Sequence, residues 1–593
     1  MTLRIETILE FSTIFSKEEF EGFQIDNILK KYSREMLIKA INVLSKNYGN
    51  AYIPDSHNPF FSKVVSPVLL NDLEERINKY LRKKHRKKVC YCTRRTILEL
   101  MRRVFEIPPT DFNNSGTPNC FEYDLFRIIL FLNEVLMKFN SYYESDTDNF
   151  QALIYLSNYV HNDLINIEYK RVLLTQIYFF NCLSRFLEEH EEAKDLKNRI
   201  LDKLKIDNLD EFLYTVTSLV AFYVENKSSQ MVCLDTNKAF RFNEGICDFL
   251  SIGKNDVYLS TIHDENERNK RNLNLDYRVF RAHPLIKMEE GCYIIFSLPI
   301  LCERLYNGFV FDLMDVFAGK DFFSFYNKHF VERYLFRNTM GNCLGKETSY
   351  SYPTITAIKT NASEGEQENQ PDFYIREKCN LIIFECKSIK INSSIRDDAD
   401  VKCLMELLQN KLDESKTNID QNRHTKKKKE KAGVSQLVYC INSIEDDKFP
   451  FDKSIPDDVA YYPVLVLDDP LIVQLGLTNL VNQWYLSRVN KELKEAICHP
   501  LVVMSIDTLA LYSNTFRQQG FTAIFEKFFS ENTCFTKDGT VSSIGPLMDF
   551  NVFMQSHYHP NNKLISDTLS DLKKVAKAHI FSYRTKNRGN SLT

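Results

Sequence analysis

Leu381-Ile-Ile-Phe384 is apolar at every position, and that short run constrains the fold more than any other segment of the chain. A strand with no polar alternation must be covered on both faces, which requires an interior sheet flanked by helices. A second strand-like run, Phe373-Tyr-Ile375, precedes it across a short polar stretch, so the two read as a hairpin. With the turn centred between Lys378 and Cys379, Asp372 falls directly opposite Glu385. Residues opposite in a hairpin point to one face with Cβ atoms about 5 Å apart. Lys387, two residues after Glu385, shares that face. The pattern therefore brings two carboxylates and an ammonium together on a buried sheet. Two acids so placed repel and resist joint ionisation, and a hard divalent cation such as Mg2+ relieves that repulsion through carboxylate oxygens.

Pro371-Asp372, a gap of twelve residues, then Glu385-Cys386-Lys387 resembles the catalytic signature of the PD-(D/E)xK nuclease superfamily, which has the restriction-endonuclease-like fold. Pro54-Asp55 and Pro456-Asp457 match the first half of that signature, but neither opens a strand leading to an E-x-K. The resemblance implies a metal-dependent nuclease acting on nucleic acid, DNA ahead of RNA, in defence against foreign DNA or in repair. It implies Mg2+ as cofactor, replaceable by Mn2+, held by Asp372, Glu385 and the Cys386 carbonyl, with Lys387 acting on the attacking water and the transition state. It also asks for a glutamate on the helix before the first core strand, where Glu332 stands. Periodicity alone does not select Glu332, because the apolar stripe runs Phe323, Tyr326, Phe330, Tyr334, and a solvated glutamate fits equally well. Some branches of the family carry Gln-x-x-x-Tyr on the next helix. Here Gln436 is present but its tyrosine, Tyr439, comes one position early, so Gln436 is either a neighbour of the site or an exposed helix residue. The alternative from another class is a catalytically silent nucleic-acid-binding or assembly protein on the same sheet.

The rest of the chain reads as α+β overall. Only 17 of 593 residues are glycine, which disfavours turn-dense sandwiches and propellers and favours helix. Residues 1–240 form an all-α accessory region, with a capping box at Ser16 and Glu19 and helical stripes such as Leu37, Ala40, Ile41, Leu44 and Ile97, Met101, Val104, Phe105. Residues 241–319 are a connecting region with short strands, 320–530 the nuclease-like α/β domain with a mixed central sheet flanked by helices, and 531–593 a helical extension with a basic tail. Segment 390–432 reads as a polar excursion. Homo-oligomer formation or partner binding would fall to the helical N-terminal region.

A net charge of −3 leaves no global polyanion signature, so any nucleic-acid contact must be local. The candidates are Lys83, Lys84, Arg86, Lys87 and Lys88, with Arg94 and Arg95 just beyond; Lys426, Lys427, Lys428 and Lys429, placed before the helix that carries Gln436; and the acid-free tail from Leu572. Such runs are phosphate contacts or solvated faces, and the charge alone does not choose. Fifteen cysteines without a C-x-x-C, an N-terminus without a basic-then-apolar leader pattern and no long apolar run point to a cytoplasmic protein with reduced thiols and no membrane partner. His557-Tyr-His559 lacks further ligands nearby and reads as a polar loop. No phosphate-cradling G-x-x-x-x-G-K-[ST] is present, which leaves ATP-driven motor or switch chemistry without support.

Overall fold

The computed structural model describes residues 8–47, 52–53, 67–83, 89–138, 169–225, 231–233, 242–257, 277–352, 371–390, 401–413, 432–470, 472–473, 476–493, 496–535, 541–544, 549–561 and 570. Helices and mixed sheets make an α+β protein. The larger sheet has six strands: β1 (Tyr350–Tyr352), β2 (Phe373–Glu377), β3 (Asn380–Lys387), β4 (Ala460–Leu467), β5 (Ile497–Cys498) and β6 (Val502–Ser505). Their order is β5-β4-β3-β2-β1, with β6 also paired to β4. β2 runs antiparallel to both β1 and β3, whereas β4 runs parallel to β3, β5 and β6.

Pairing of Glu377 with Asn380 leaves Lys378 and Cys379 as a two-residue turn. Lys378 takes φ +58°, the sense of twist that lets a two-residue loop join right-twisted strands. Both faces of β3 are covered, as its composition demands. Phe373, Ile375, Ile382, Phe384 and Cys386 share one core with Phe336, Phe521 and Phe525. Tyr374, Leu381, Ile383, Leu465 and Leu467 share another with three helices, α1 (Val401–Leu412), α2 (Val434–Glu445) and α3 (Leu477–Glu492).

Helix α2 begins and ends where its sequence stripe does, with Val434, Leu437, Ile441 and Ile444 buried. Helix α1 lies inside the stretch read as a polar excursion. Its Leu404, Leu408 and Leu412 recur every four residues and are buried, a stripe that the surrounding charges obscure. The two helices meet at Gly433, which has φ +48°, and a Cβ there would collide with the Leu412 carbonyl. Gly433→Ala is therefore expected to destabilise the protein by about 1–3 kcal/mol, measurable as a lower denaturant midpoint.

The apolar cores also divide the chain otherwise than at position 240. Helices between Arg34 and Lys138 pack Leu37, Ile41, Met101 and Phe105 against Ile252, Ile286 and Ile294. Those three belong to a four-stranded sheet of Met231–Cys233, Cys292–Ile295, Leu285–Glu289 and Ser251–Gly253. The helices Tyr169–Glu189, Glu191–Leu204 and Leu209–Glu225 instead join the core of the larger sheet, through Phe179, Phe180, Phe186 and Phe212. An amphipathic stripe fixes which face is buried but not against what.

Candidate functional site

Phe373 pairs with Phe384 across the hairpin, so the register carried one step outward sets Asp372 opposite Glu385. The preceding residue is Pro371, which has no N–H to extend the ladder. Asp372 Oδ2 instead accepts the Cys386 amide at 2.8 Å. Glu385 is 1% exposed, and Lys387 Nζ lies 2.5 Å from its Oε1. The Cys386 side chain points to the opposite face, where burial raises its thiol pKa far above the ordinary range. Only the Cys386 backbone carbonyl could therefore serve as a ligand.

These groups control one another's charge. Burial, followed by the nearby Asp372 carboxylate, pushes Glu385 up to about 8, against the pull of Lys387. Burial also raises Asp372, opposed by Lys387, the Cys386 amide and the guanidinium of Arg337. For Lys387, burial disfavours the ammonium, but Glu385, Asp372 and Glu332 outweigh it and hold the pKa above its usual value.

Glu332 joins this group from a π-helix, Tyr326–Phe336. Burial and then Asp372 push it up to about 7. The stripe read at 3.6 residues per turn could not place Glu332 because the helix widens here to a five-residue hydrogen-bond step, a local geometry that often marks functional sites. Phe330, Val331, Leu335 and Phe336 of the same helix are buried in the core below the sheet.

The donor set is hard oxygen, which suits Mg2+, and its acids are held back from joint ionisation, the condition that a bound cation offsets. Among the described residues, no three His, Cys, Asp or Glu side chains already stand at metal-ligand spacing. Glu385 Oε1 is engaged by Lys387 and Asp372 Oδ2 by a backbone amide.

Gln436 does not join the group. Its Oε1 accepts the Gly433 amide at 3.0 Å and caps the start of its own helix, a local use open to a glutamine at the third helical position. Lys83 is exposed at the end of helix Pro67–Lys83. Lys84, Arg86, Lys87, Lys88, Lys426, Lys427, Lys428 and Lys429 lie outside the described residues, as does the basic tail. Arg94 and Arg95, read as an extension of the first basic run, are buried at the start of helix Arg94–Glu106, and Arg94 pairs with Glu303 at 3.3 Å. His557 closes a helix instead of lying in a loop, with Nε2 3.0 Å from Glu531.

Two features escaped sequence reasoning. Asp468, at the end of β4, is 8% exposed; its Oδ2 accepts from Ser388 Oγ at 2.7 Å and Lys390 Nζ at 3.2 Å. Acids directly after the apolar run Pro463–Leu467 were the available signal, since the carboxyl ends of parallel strands are where such sheets bind ligands. The second feature is Arg337, whose charge faces Asp372 from the helix that follows the π-helix.

No protein-family model matches the chain, and neither does any curated protein or solved structure. Among the described residues no helix is long and apolar enough to cross a membrane.

Proposed function

We propose that this chain is a metal-dependent nuclease that hydrolyses phosphodiester bonds, with DNA ahead of RNA as substrate. The observation that carries this reading is the facing of Asp372 and Glu385 across a two-residue hairpin, with Lys387 against Glu385. The order helix, β1, β2, β3, α1, α2, β4, with β4 parallel to β3, supports a restriction-endonuclease-like core. Asp372, Glu385 and the Cys386 carbonyl would hold Mg2+, or Mn2+ in its place. A bound ion of this kind supplies a more acidic water and neutralises charge on the scissile phosphate.

The chain's own groups do the rest. Lys387 stays protonated under the field of three acids, so it acts as a fixed positive donor where oxygen charge develops in the transition state. Glu332, with a pKa near 7, takes up a proton from water at working pH. Burial of Glu385 keeps bulk water from screening these interactions.

A second reading, a silent nucleic-acid-binding or assembly protein on the same sheet, is favoured by the Lys387–Glu385 pair, in which both groups already satisfy each other. Incubation of the purified chain with supercoiled, linear and single-stranded DNA and with RNA, in Mg2+, Mn2+ or EDTA, separates the two. Cleavage in the divalent cations alone is the expected outcome. Intact strands with every cation and substrate would leave the silent reading.

Charge reversal of Lys426–Lys429 to glutamate is expected to weaken DNA binding uniformly across sequences. It should also flatten the slope of log K against log salt by up to ~0.9 for each duplex phosphate that the chain no longer neutralises. An unchanged slope would show that this run faces solvent.

A further inference from the structure

The cluster of Asp372, Glu385 and Glu332 is a poor host for a polyanion. These three acids face the place where a phosphate would lie, and the nearest ammonium, Lys387, is already matched to Glu385. Lys390, just past the end of β3, is matched too. It pairs with Asp468 at 3.2 Å and Asp469 at 3.9 Å.

Arg337 is different. It opens the helix Arg337–Cys343 that continues directly from the π-helix bearing Glu332. Its Nε is buried without a hydrogen-bond partner. Its charge faces Asp372, Arg333, Tyr352 and Glu332, and Asp372 is its strongest attraction, exceeded only by the opposing effect of burial. Yet Asp372 Oδ2 is bonded to the Cys386 amide, and among the described residues no carboxylate forms an ion pair with the guanidinium. A guanidinium carries five donors in a rigid fork and accepts nothing, so leaving it partly buried without acceptors is costly unless an anion arrives.

We infer that Arg337 is the fork that receives a backbone phosphate of the nucleic acid, next to the bond lying over Asp372 and Glu385. This rests on the nuclease reading for which acids mark the reacting end, but its test does not use cleavage. Two phosphate oxygens match the guanidinium's paired N–H groups in a way that an ammonium cannot reproduce. Tyr352 of β1 also acts on the charge of Arg337, while Lys390 and Asp468 meet just past the ends of β3 and β4.

The test measures binding of a fluorescein-labelled DNA duplex by anisotropy in EDTA, across a salt series, for the native chain and for Arg337→Met and Arg337→Lys. Arg337→Met should weaken binding by roughly tenfold or more and lower the salt slope by ~0.9. Its melting temperature should be equal to or above that of the native chain, because an unmatched buried charge has been removed. Arg337→Lys should recover the slope but only part of the affinity. Native affinity and slope in Arg337→Met would overturn the inference, as would a lowered melting temperature with unchanged binding, or no duplex binding by the native chain. Full recovery by lysine would also overturn the fork. If the native chain binds DNA through Arg337 but cleaves nothing with any cation, the nuclease reading fails and this inference stands. If it cleaves while Arg337→Met binds normally, the reverse holds.

Discussion

Asp372→Asn is expected to lower divalent-cation-dependent strand cleavage by on the order of 10^3-fold or more, while leaving the protein at least as stable as before. Asparagine keeps a carbonyl oxygen for the Cys386 amide that Asp372 Oδ2 now accepts at 2.8 Å, so the end of β2 stays tied to β3. What disappears is one negative charge from a group in which Asp372 raises the pKa of both Glu385 and Glu332. Loss of that repulsion stabilises the metal-free fold, whereas loss of a hard ligand removes the chemistry. Initial cleavage rates in Mg2+ and thermal unfolding in EDTA measure the two effects separately. Native rates in this variant would place the reaction elsewhere on the molecule.

The second large effect is a dependence of stability on pH that runs opposite to ordinary acid denaturation. Glu385 titrates near 8 in the folded chain against 4.5 as an ordinary side chain, and Glu332 near 7. Below about 4.5 the folded and unfolded states both hold these protons, so nothing is lost. Between 4.5 and 8 the unfolded chain has released a proton that the folded chain still binds, so this contribution to stability falls as pH rises. It levels off above the folded pKa. In EDTA, the melting temperature of Glu385→Gln, which lacks this titration, should therefore gain on that of the native chain by several degrees between pH 5 and pH 8. Mg2+ should raise the native melting temperature more at pH 8 than at pH 5, because its ligands must be deprotonated. A difference that shrinks with rising pH would contradict the buried, proton-holding state of Glu385.

The triad of Asp372, Glu385 and Lys387 was legible because it depends only on local rules. A turn between Lys378 and Cys379 sets the register, and alternation along a strand sets the face. Both faces of Leu381–Phe384 are buried for the reason its composition gives. What the sequence concealed depends on contacts between distant segments. Asp468 meets Ser388 and Lys390 only because β4 runs parallel to β3 with Leu467 beside Lys387, and no spacing rule links positions 80 residues apart. Arg94 and Arg95 look like part of a surface run, yet they are buried, and Arg94 faces Glu303. Gln436 stayed open between the site and the helix surface because a local cap was not weighed: its Oε1 accepts the Gly433 amide. Glu332 lay between these cases: its helix was visible, but a wheel drawn for an α-helix does not describe a π-helix.

The two-residue turn at Lys378 and Cys379 also restricts how a hairpin like this can change in length over evolutionary time. Adding one residue to each arm lengthens the gap between the acids by two and keeps Asp372 facing Glu385, but turns the pair to the other face counted from the turn; two residues in each arm restore the face. Adding a single residue breaks the parity: the partner of Asp372 becomes a neighbour of Glu385 that points the other way, unless a bulge absorbs the extra residue. The twelve residues that separate the two acids are thus one member of an even-numbered series. Relatives that share this arrangement should differ from it in spacing by even steps, with an odd step accompanied by a bulge on one arm.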